Sequence, residues 1–266
     1  QQVIVENKPG ASANLASQQV ARMEPDGYVI MMVVATNTVN QTLFPNLDFH
    51  IVNDFTPLAP VMAVPNVVIV TPTLPIKTIP ELIAYAKANP GKLNFPSAGA
   101  GTAPHVVAEM FKSMTGVDLT HVPYISVNYL PDLIAGHVDL YIGTPLSVIE
   151  QIRAGTLKGY GVTAAAPIPS LPDVPSLAKE ISPDLEVLFW TALFAPPGLP
   201  KPLLARLSAA VAKTTGNFEL RVKAANDGFE LIGNTPEEFA VREHFLREFA
   251  MISACPIGGN GAKWTS

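Results

Sequence analysis

Cysteine, charge and long apolar runs are the three things this 266-residue chain has least of. The single Cys255 permits neither an internal disulfide nor a cysteine metal site, so it says little about redox compartment. Charged residues make up 15% of the chain, against about 25% in an average protein. The 17 basic and 22 acidic residues leave a net charge of −5 without any basic cluster, and no nucleic-acid partner is expected. The 48% hydrophobic content excludes disorder. No apolar run approaches the ~20 residues of a membrane span: 28–35 has the length of a buried strand, and 188–196 is broken by proline. A Walker motif, a Gly-x-Ser-x-Gly elbow and metal-ligand spacing are all missing, so no metal, cofactor or catalytic residue is assigned. Proline is plentiful, with 26 residues at helix starts and in loops, about twice the usual share. It implies a rigid chain of short elements.

The most informative stretch is Asn94-Phe95-Pro96-Ser97-Ala98-Gly99-Ala100-Gly101-Thr102-Ala103-Pro104-His105. A short apolar strand enters a glycine-rich loop, which opens a helix with Pro104 near its start. Val107, Met110, Phe111 and Met114 then recur at helical spacing, as one buried face. Such a turn aims backbone N–H groups and the positive end of a helix dipole at one point, where an anion needs no Lys or Arg. The glycines let the backbone approach a ligand, and Ser97 and Thr102 offer hydroxyl donors. The alternative is an ordinary βα turn that touches nothing.

Two more loops favour a ligand cleft. Val3-Ile4-Val5 reads as a strand, followed by Asn7-Lys8-Pro9-Gly10-Ala11-Ser12-Ala13-Asn14 and a helix with Ala16, Val20 and Met23 inward. The strand-like run 28–34 leads to a third loop, Ala35-Thr36-Asn37-Thr38. Small residues at the ends of three strands suit a site at strand carboxyl ends. Strand and helix alternate almost throughout, which implies an α/β fold with mainly parallel sheets. Thr78-Ile79-Pro80-Glu81 and Thr235-Pro236-Glu237-Glu238 are capping boxes, the second starting a helix with Val241, Phe245, Phe249 and Ile252 inward. Strands are expected near 67–70, 119–122, 137–142, 157–162 and 185–194. Pro145 is expected to open a helix burying Leu146, Ile149 and Ile152, and the Pro-rich 164–175 is read as a packed surface loop.

The order of these pieces resembles the solute receptors of tripartite tricarboxylate transporters, the Bug family of extracytoplasmic binding proteins. The resemblance rests on Val3-Ile4-Val5-Glu6-Asn7-Lys8-Pro9-Gly10-Ala11, Pro25-Asp26-Gly27-Tyr28 and Asn53-Asp54-Phe55. It continues through Ser97-Ala98-Gly99, Gly101-Thr102, His105, His121-Val122-Pro123-Tyr124 and Gly136-His137-Val138-Asp139. Leu171-Pro172-Asp173-Val174-Pro175 and Thr235-Pro236-Glu237-Glu238-Phe239 complete it, from Gln1 to about Phe249. It implies two α/β lobes of the type II periplasmic, Venus-flytrap kind: 1–74 and 190–266 in the near lobe, 75–189 in the far one. A family-like first strand and Pro-Pro-Gly-Gly loop would precede Gln1, so the near lobe is expected to lack its first strand. Two further departures are Ser12, Ala13 and Ala16 where the family is richer in glycine, and Ile125-Ser126 where it favours Lys-Gly. Residues 254–266 fit no family helix.

By that resemblance the chain is a periplasmic, monomeric binding protein whose signal peptide is not part of this sequence. It would hand a small mono- or dicarboxylate to the membrane carrier subunits of a tripartite transporter. Its expected ligand-binding residues are Ser12, Ala13, Thr36, Asn37, Ser97, Ala98, Gly99, Gly101, Thr102, His105 and Asp139. Asp139 matches an acidic family position, with capping of neighbouring backbone as its alternative role, and His105 is read as a helix-start hydrogen bonder. Two other functions would need the same cleft. One is an α/β enzyme with His105 and Asp139 as its acid/base pair; the other is a ligand-sensing receptor for a membrane kinase.

Overall fold

Local sequence sets where the elements begin and end. The structure, a computed structural model, describes residues 2–8, 10–44, 46–51, 53–124 and 129–232. A 3₁₀ turn at Ala11–Ala13 enters helix α1 (Asn14–Val20), and strand β1 (Met31–Val34) runs directly into α2 (Ala35–Leu43). Strands β2 (Thr56–Pro65) and β3 (Val67–Val70) are separated by Asn66 alone. Helix α3 (Ile79–Ala88) starts at the expected box: Thr78 Oγ1 accepts the Glu81 N–H at 3.3 Å, and Glu81 Oε2 accepts the Lys77 N–H at 2.8 Å. Strand β4 (Asn94–Ser97), helix α4 (Ala103–Thr115) and strand β5 (Thr120–Pro123) follow. Next come α5 (Leu130–Ala135), β6 (Leu140–Gly143), α6 (Ile149–Arg153) and β7 (Lys158–Val162). Helix α7 (Leu177–Glu180), β8 (Leu188–Ala195), α8 (Lys201–Thr215), α9 (Phe218–Asn226) and β9 (Glu230–Leu231) close the described chain.

One sheet has the order β1-β8-β2-β9; a second has β6-β3-β7, and β4 pairs with β5. Asp139, one residue before β6, ties that pair to the second sheet. Its carboxylate accepts the Asn94 N–H at 2.9 Å, and its N–H donates to Asn94 O at 3.2 Å. The apolar core is continuous between the sheets, with Met31, Val33 and Trp190 from the first and Val68, Phe95 and Phe111 from beside the second. Leu203, Leu204 and Leu207 of α8 pack on Leu58, Ala195 and Leu199, as their spacing predicts.

The two-lobe α/β plan stands, but the expected strand direction does not. Among the described residues, every ladder is antiparallel except β4–β5. The reason is topological. β1 and β2 are both antiparallel to β8, so they run the same way with the returning strand inserted between them. β3 is inserted in the same manner between β6 and β7. Crossing strands therefore convert same-direction neighbours into antiparallel ladders. The pairing of β3 also places 67–70 in the second sheet, so the chain changes sheets at Asn66. It returns near Val187, and the two passages are clipped together. Thr163 Oγ1 accepts the Asn66 N–H at 2.8 Å and donates to Val187 O at 2.5 Å; main-chain bonds join Thr163 N–H to Asn66 O and Val187 N–H to Thr163 O.

Several local expectations are corrected. Val3, Ile4 and Val5 form no strand: they are 80, 84 and 84% exposed, and no described strand lies beside them to supply a ladder. Tyr28 is exposed outside β1, and the strand expected from His137 begins at Leu140. Helix α1 buries Asn14 and Ser17, the polar side of its stripe, although Val20 still packs on the core. Leu146 lies exposed in a 3₁₀ turn, while Ile149 is buried. The loop 164–175 is packed as expected, through Ile168, Leu171 and Val174. The box at Thr235, its helix, Ile125-Ser126, Cys255 and the terminal stretch from Ala254 lie outside the described residues.

Candidate functional site

The glycine-rich loop sits between β4 and α4, and most of its own polar groups are spent on its shape. Ser97 Oγ accepts the Gly99 N–H at 3.0 Å, lies 3.1 Å from Gly99 O and 2.6 Å from His121 Nε2. All three contacts are satisfied when His121 donates from Nε2 and the Ser97 hydroxyl donates to Gly99 O; this proton assignment follows from the network. Thr102 Oγ1 donates to Gly99 O at 2.7 Å, and the Gly101 N–H donates to His105 Nδ1 at 3.2 Å. Ser97 and Thr102 thus serve the loop rather than offering free hydroxyl donors. Among the described residues, the main-chain N–H groups of Ala98, Ala100, Ala103 and His105 have no acceptor. Two of them belong to the first turn of α4, where the helix dipole adds positive potential.

Behind the loop stand three rings. His105 and His121 have centroids 4.4 Å apart, and Phe95 stacks at 5.1 Å on His121 and 6.5 Å on His105. Burial, reinforced by repulsion from a charged His121, holds the His105 imidazole down at about 4, and burial lowers His121 too. Both are neutral at pH 7.

The loop faces helix α2. A β-carbon on Gly101 would lie 2.8 Å from Leu43 Cδ1, 3.5 Å from Asn40 Oδ1 and 3.8 Å from Val39 Cγ1. The stretch Ala35-Thr36-Asn37-Thr38, expected as a loop, is the first turn of α2. Thr36 is half-buried there, and Asn37 Oδ1 accepts the Val34 N–H at 2.9 Å, capping the helix from inside. Asn37 Nδ2 also donates to Ser17 Oγ at 3.3 Å, Ser17 donates to Ala13 O, and Asn40 Nδ2 donates to Asn14 Oδ1 at 2.9 Å. A buried polar seam therefore joins α1, α2 and the 10–14 loop, which contains Ser12 and Ala13, beside the glycine loop. Asn14, Ser17 and Asn40 were missed in the sequence reading. Their signal was the i, i+3 spacing Asn14/Ser17 and Asn37/Asn40.

Asp139 is not brought to this place. It binds at Asn94, the first residue of β4, whereas the loop leaves Ser97, the last; three strand steps are ~10 Å. Its role here is the alternative one, holding neighbouring backbone. No cluster of metal-binding side chains occurs among the described residues.

The chain matches the model of the tripartite tricarboxylate transporter family receptor over residues 1–253. It belongs to that family. It is 38% identical over 212 residues to a UPF0065 protein of Bordetella pertussis, covering 79% of this chain and 65% of that one. Among solved structures it resembles the periplasmic binding protein BugD, with TM-score 0.82 and 29% identity over 94% of this chain and 84% of that one. It also resembles R. palustris Rpa4515 with adipate, with TM-score 0.86 and 30% identity over 95% and 85% of the two chains. This is a Bug-type receptor, and its family and neighbours are periplasmic solute-binding proteins. None of its described helices is long and apolar enough to cross a membrane.

Two alanines of the 10–14 stretch take a backbone conformation that favours glycine. Ala11 and Ala13 have φ of 47° and 70°, the left-handed region where a β-carbon costs about 1–2 kcal/mol. Ala13→Gly is therefore expected to be neutral or to stabilise by up to ~1 kcal/mol. The same change at exposed Ala209 within α8 should lose about 1 kcal/mol. Chemical denaturation of both variants checks this; equal losses would show that Ala13 is unstrained.

Proposed function

We propose that this receptor captures a small mono- or dicarboxylate outside the cytoplasmic membrane, as a monomer, and delivers it to the membrane carrier subunits of a tripartite transporter. The lobes are taken at 1–74 with 190–266 and at 75–189, bounds that lie a few residues beyond the sheet crossings at Asn66 and near Val187, and the ligand lies where the glycine loop meets α2. The observation that carries this reading is the set of N–H groups at Ala98, Ala100, Ala103 and His105, unengaged among the described residues, beside a seam of neutral amides and hydroxyls. Such a site suits a weakly basic anion, because fixed dipoles stabilise it without the desolvation of a partner cation. Adipate on a family neighbour of similar fold supports the same chemistry.

Calorimetry with acetate, succinate, malate and adipate tests the reading. At least one acid should bind with micromolar affinity, about 8 kcal/mol, and be recovered unchanged after prolonged incubation. Failure of all four at millimolar concentration would remove the carboxylate assignment, and time-dependent product would revive the enzyme. The geometry disfavours an enzyme built on His105 and Asp139, because each is engaged elsewhere: the Asp139 carboxylate accepts the Asn94 N–H, and His105 Nδ1 accepts the Gly101 N–H.

A further inference from the structure

The rings behind the glycine loop form a unit that the sequence did not anticipate. On the carboxylate reading above, we propose that His105 is a positioning residue for ligand capture: paired with His121, it braces the glycine loop so that the neighbouring N–H groups face the ligand.

The argument begins with acceptors. The Gly101 N–H is buried and its one partner is the lone pair on His105 Nδ1. His105 must therefore be neutral with its proton on Nε2, because a protonated Nδ1 would turn a donor toward a donor. His121 fixes the other end of the loop through Ser97 Oγ, which in turn holds both polar main-chain groups of Gly99. Gly101 is thus pinned by His105 directly and Gly99 by His121 through Ser97, the two imidazoles lying tilted against each other at 4.4 Å. Ala98 and Ala100, the alternating residues, keep their N–H groups unengaged among the described residues. This alternation turns a ring-braced loop into a cradle.

Neutrality is built in. Each imidazole, if charged, would face the other across 4.4 Å. The other charged groups acting on His105 are Glu109 and Lys112, one and two turns along its own helix. These two pair with each other at 2.8 Å, so their effects largely cancel. The sign of the pH dependence follows. The unfolded chain protonates this histidine near 6.5, while the folded protein resists until about 4. Its contribution to stability is complete above pH ~6.5 and is lost as pH falls through about 4.

Two variants separate positioning from mere packing. His105→Asn places an amide oxygen near the Nδ1 position, so it accepts the Gly101 N–H without titrating. His105→Phe keeps a ring against Phe95 and His121 but offers no acceptor. Binding of adipate at pH 7.5 should fall about tenfold in the Phe variant and stay within about threefold of wild type in the Asn variant, as a single loop hydrogen bond implies. The ligand-free protein supplies an independent signature: the Gly101 amide resonance should shift with the ring titration of His105 at about pH 4 and stay flat in the Asn variant. A Phe variant that binds adipate as wild type does, or a Gly101 amide indifferent to His105, overturns the proposal. If wild type fails to bind adipate, the same comparison is made with whichever of acetate, succinate and malate it binds; if it binds none, the ligand assignment falls and the Gly101 titration alone decides the brace.

Discussion

Gly101→Val should weaken carboxylate binding at least a hundredfold while leaving the far sheet folded. Two effects add. Gly101 has φ of 81°, and a β-branched residue is a genuine outlier there, at a cost of about 1–2 kcal/mol. Its β-carbon would also meet Leu43 Cδ1 at 2.8 Å, where α2 closes on the loop. Alanine is the milder test, because a flexible Leu43 tip can yield to one methyl but not to three carbons; a loss of about tenfold, roughly 1.4 kcal/mol, is expected. Gly99→Ala isolates the backbone contribution, since Gly99 shares the left-handed φ, at 119°, but would place its β-carbon in open space. Calorimetry on the three variants, with thermal melts as the folding control, should rank them Val worst. An affinity for Gly101→Val equal to wild type would remove the loop from the site.

Thr163→Val should destabilise the protein by about 2–4 kcal/mol, because each of two buried partners left unpaired costs about 1–3 kcal/mol. The exchange preserves shape and removes one oxygen. That oxygen accepts from Asn66 N–H and donates to Val187 O, where the chain leaves one sheet and returns to it. Thr163 is fully buried, so water cannot take the place of the lost group. The melting temperature should drop by about 5–15 °C, given the usual ~2–4 °C per kcal/mol at this size. Thr163→Ser, which keeps the oxygen, should lose much less. A valine variant within 0.5 kcal/mol of wild type, well below the ~1 kcal/mol floor for one orphaned group, would show that the clip is dispensable.

What the sequence determined by itself was local. Thr78 and Glu81 start α3 because the cap closes over three residues, and the buried run of β3 needs no distant partner to be recognised as a strand. The glycine loop was legible for the same reason, because a strand, small residues and a proline-led helix are adjacent in the chain. The order of motifs was enough to indicate the receptor family, and the family match bears that out. Strand direction was not legible. Helical connections implied parallel neighbours, but β3 and β8 enter their sheets from the opposite direction, and only the tertiary path reveals an inserted strand. The two roles open to Asp139 could not be separated by spacing, and only the fold shows its carboxylate holding the Asn94 backbone. The hydroxyls of Ser97 and Thr102 looked like ligand donors until the fold brought Gly99 and His121 against them. Which polar groups remain free for a ligand depends on contacts between residues far apart in sequence, and those exist only once the chain has folded.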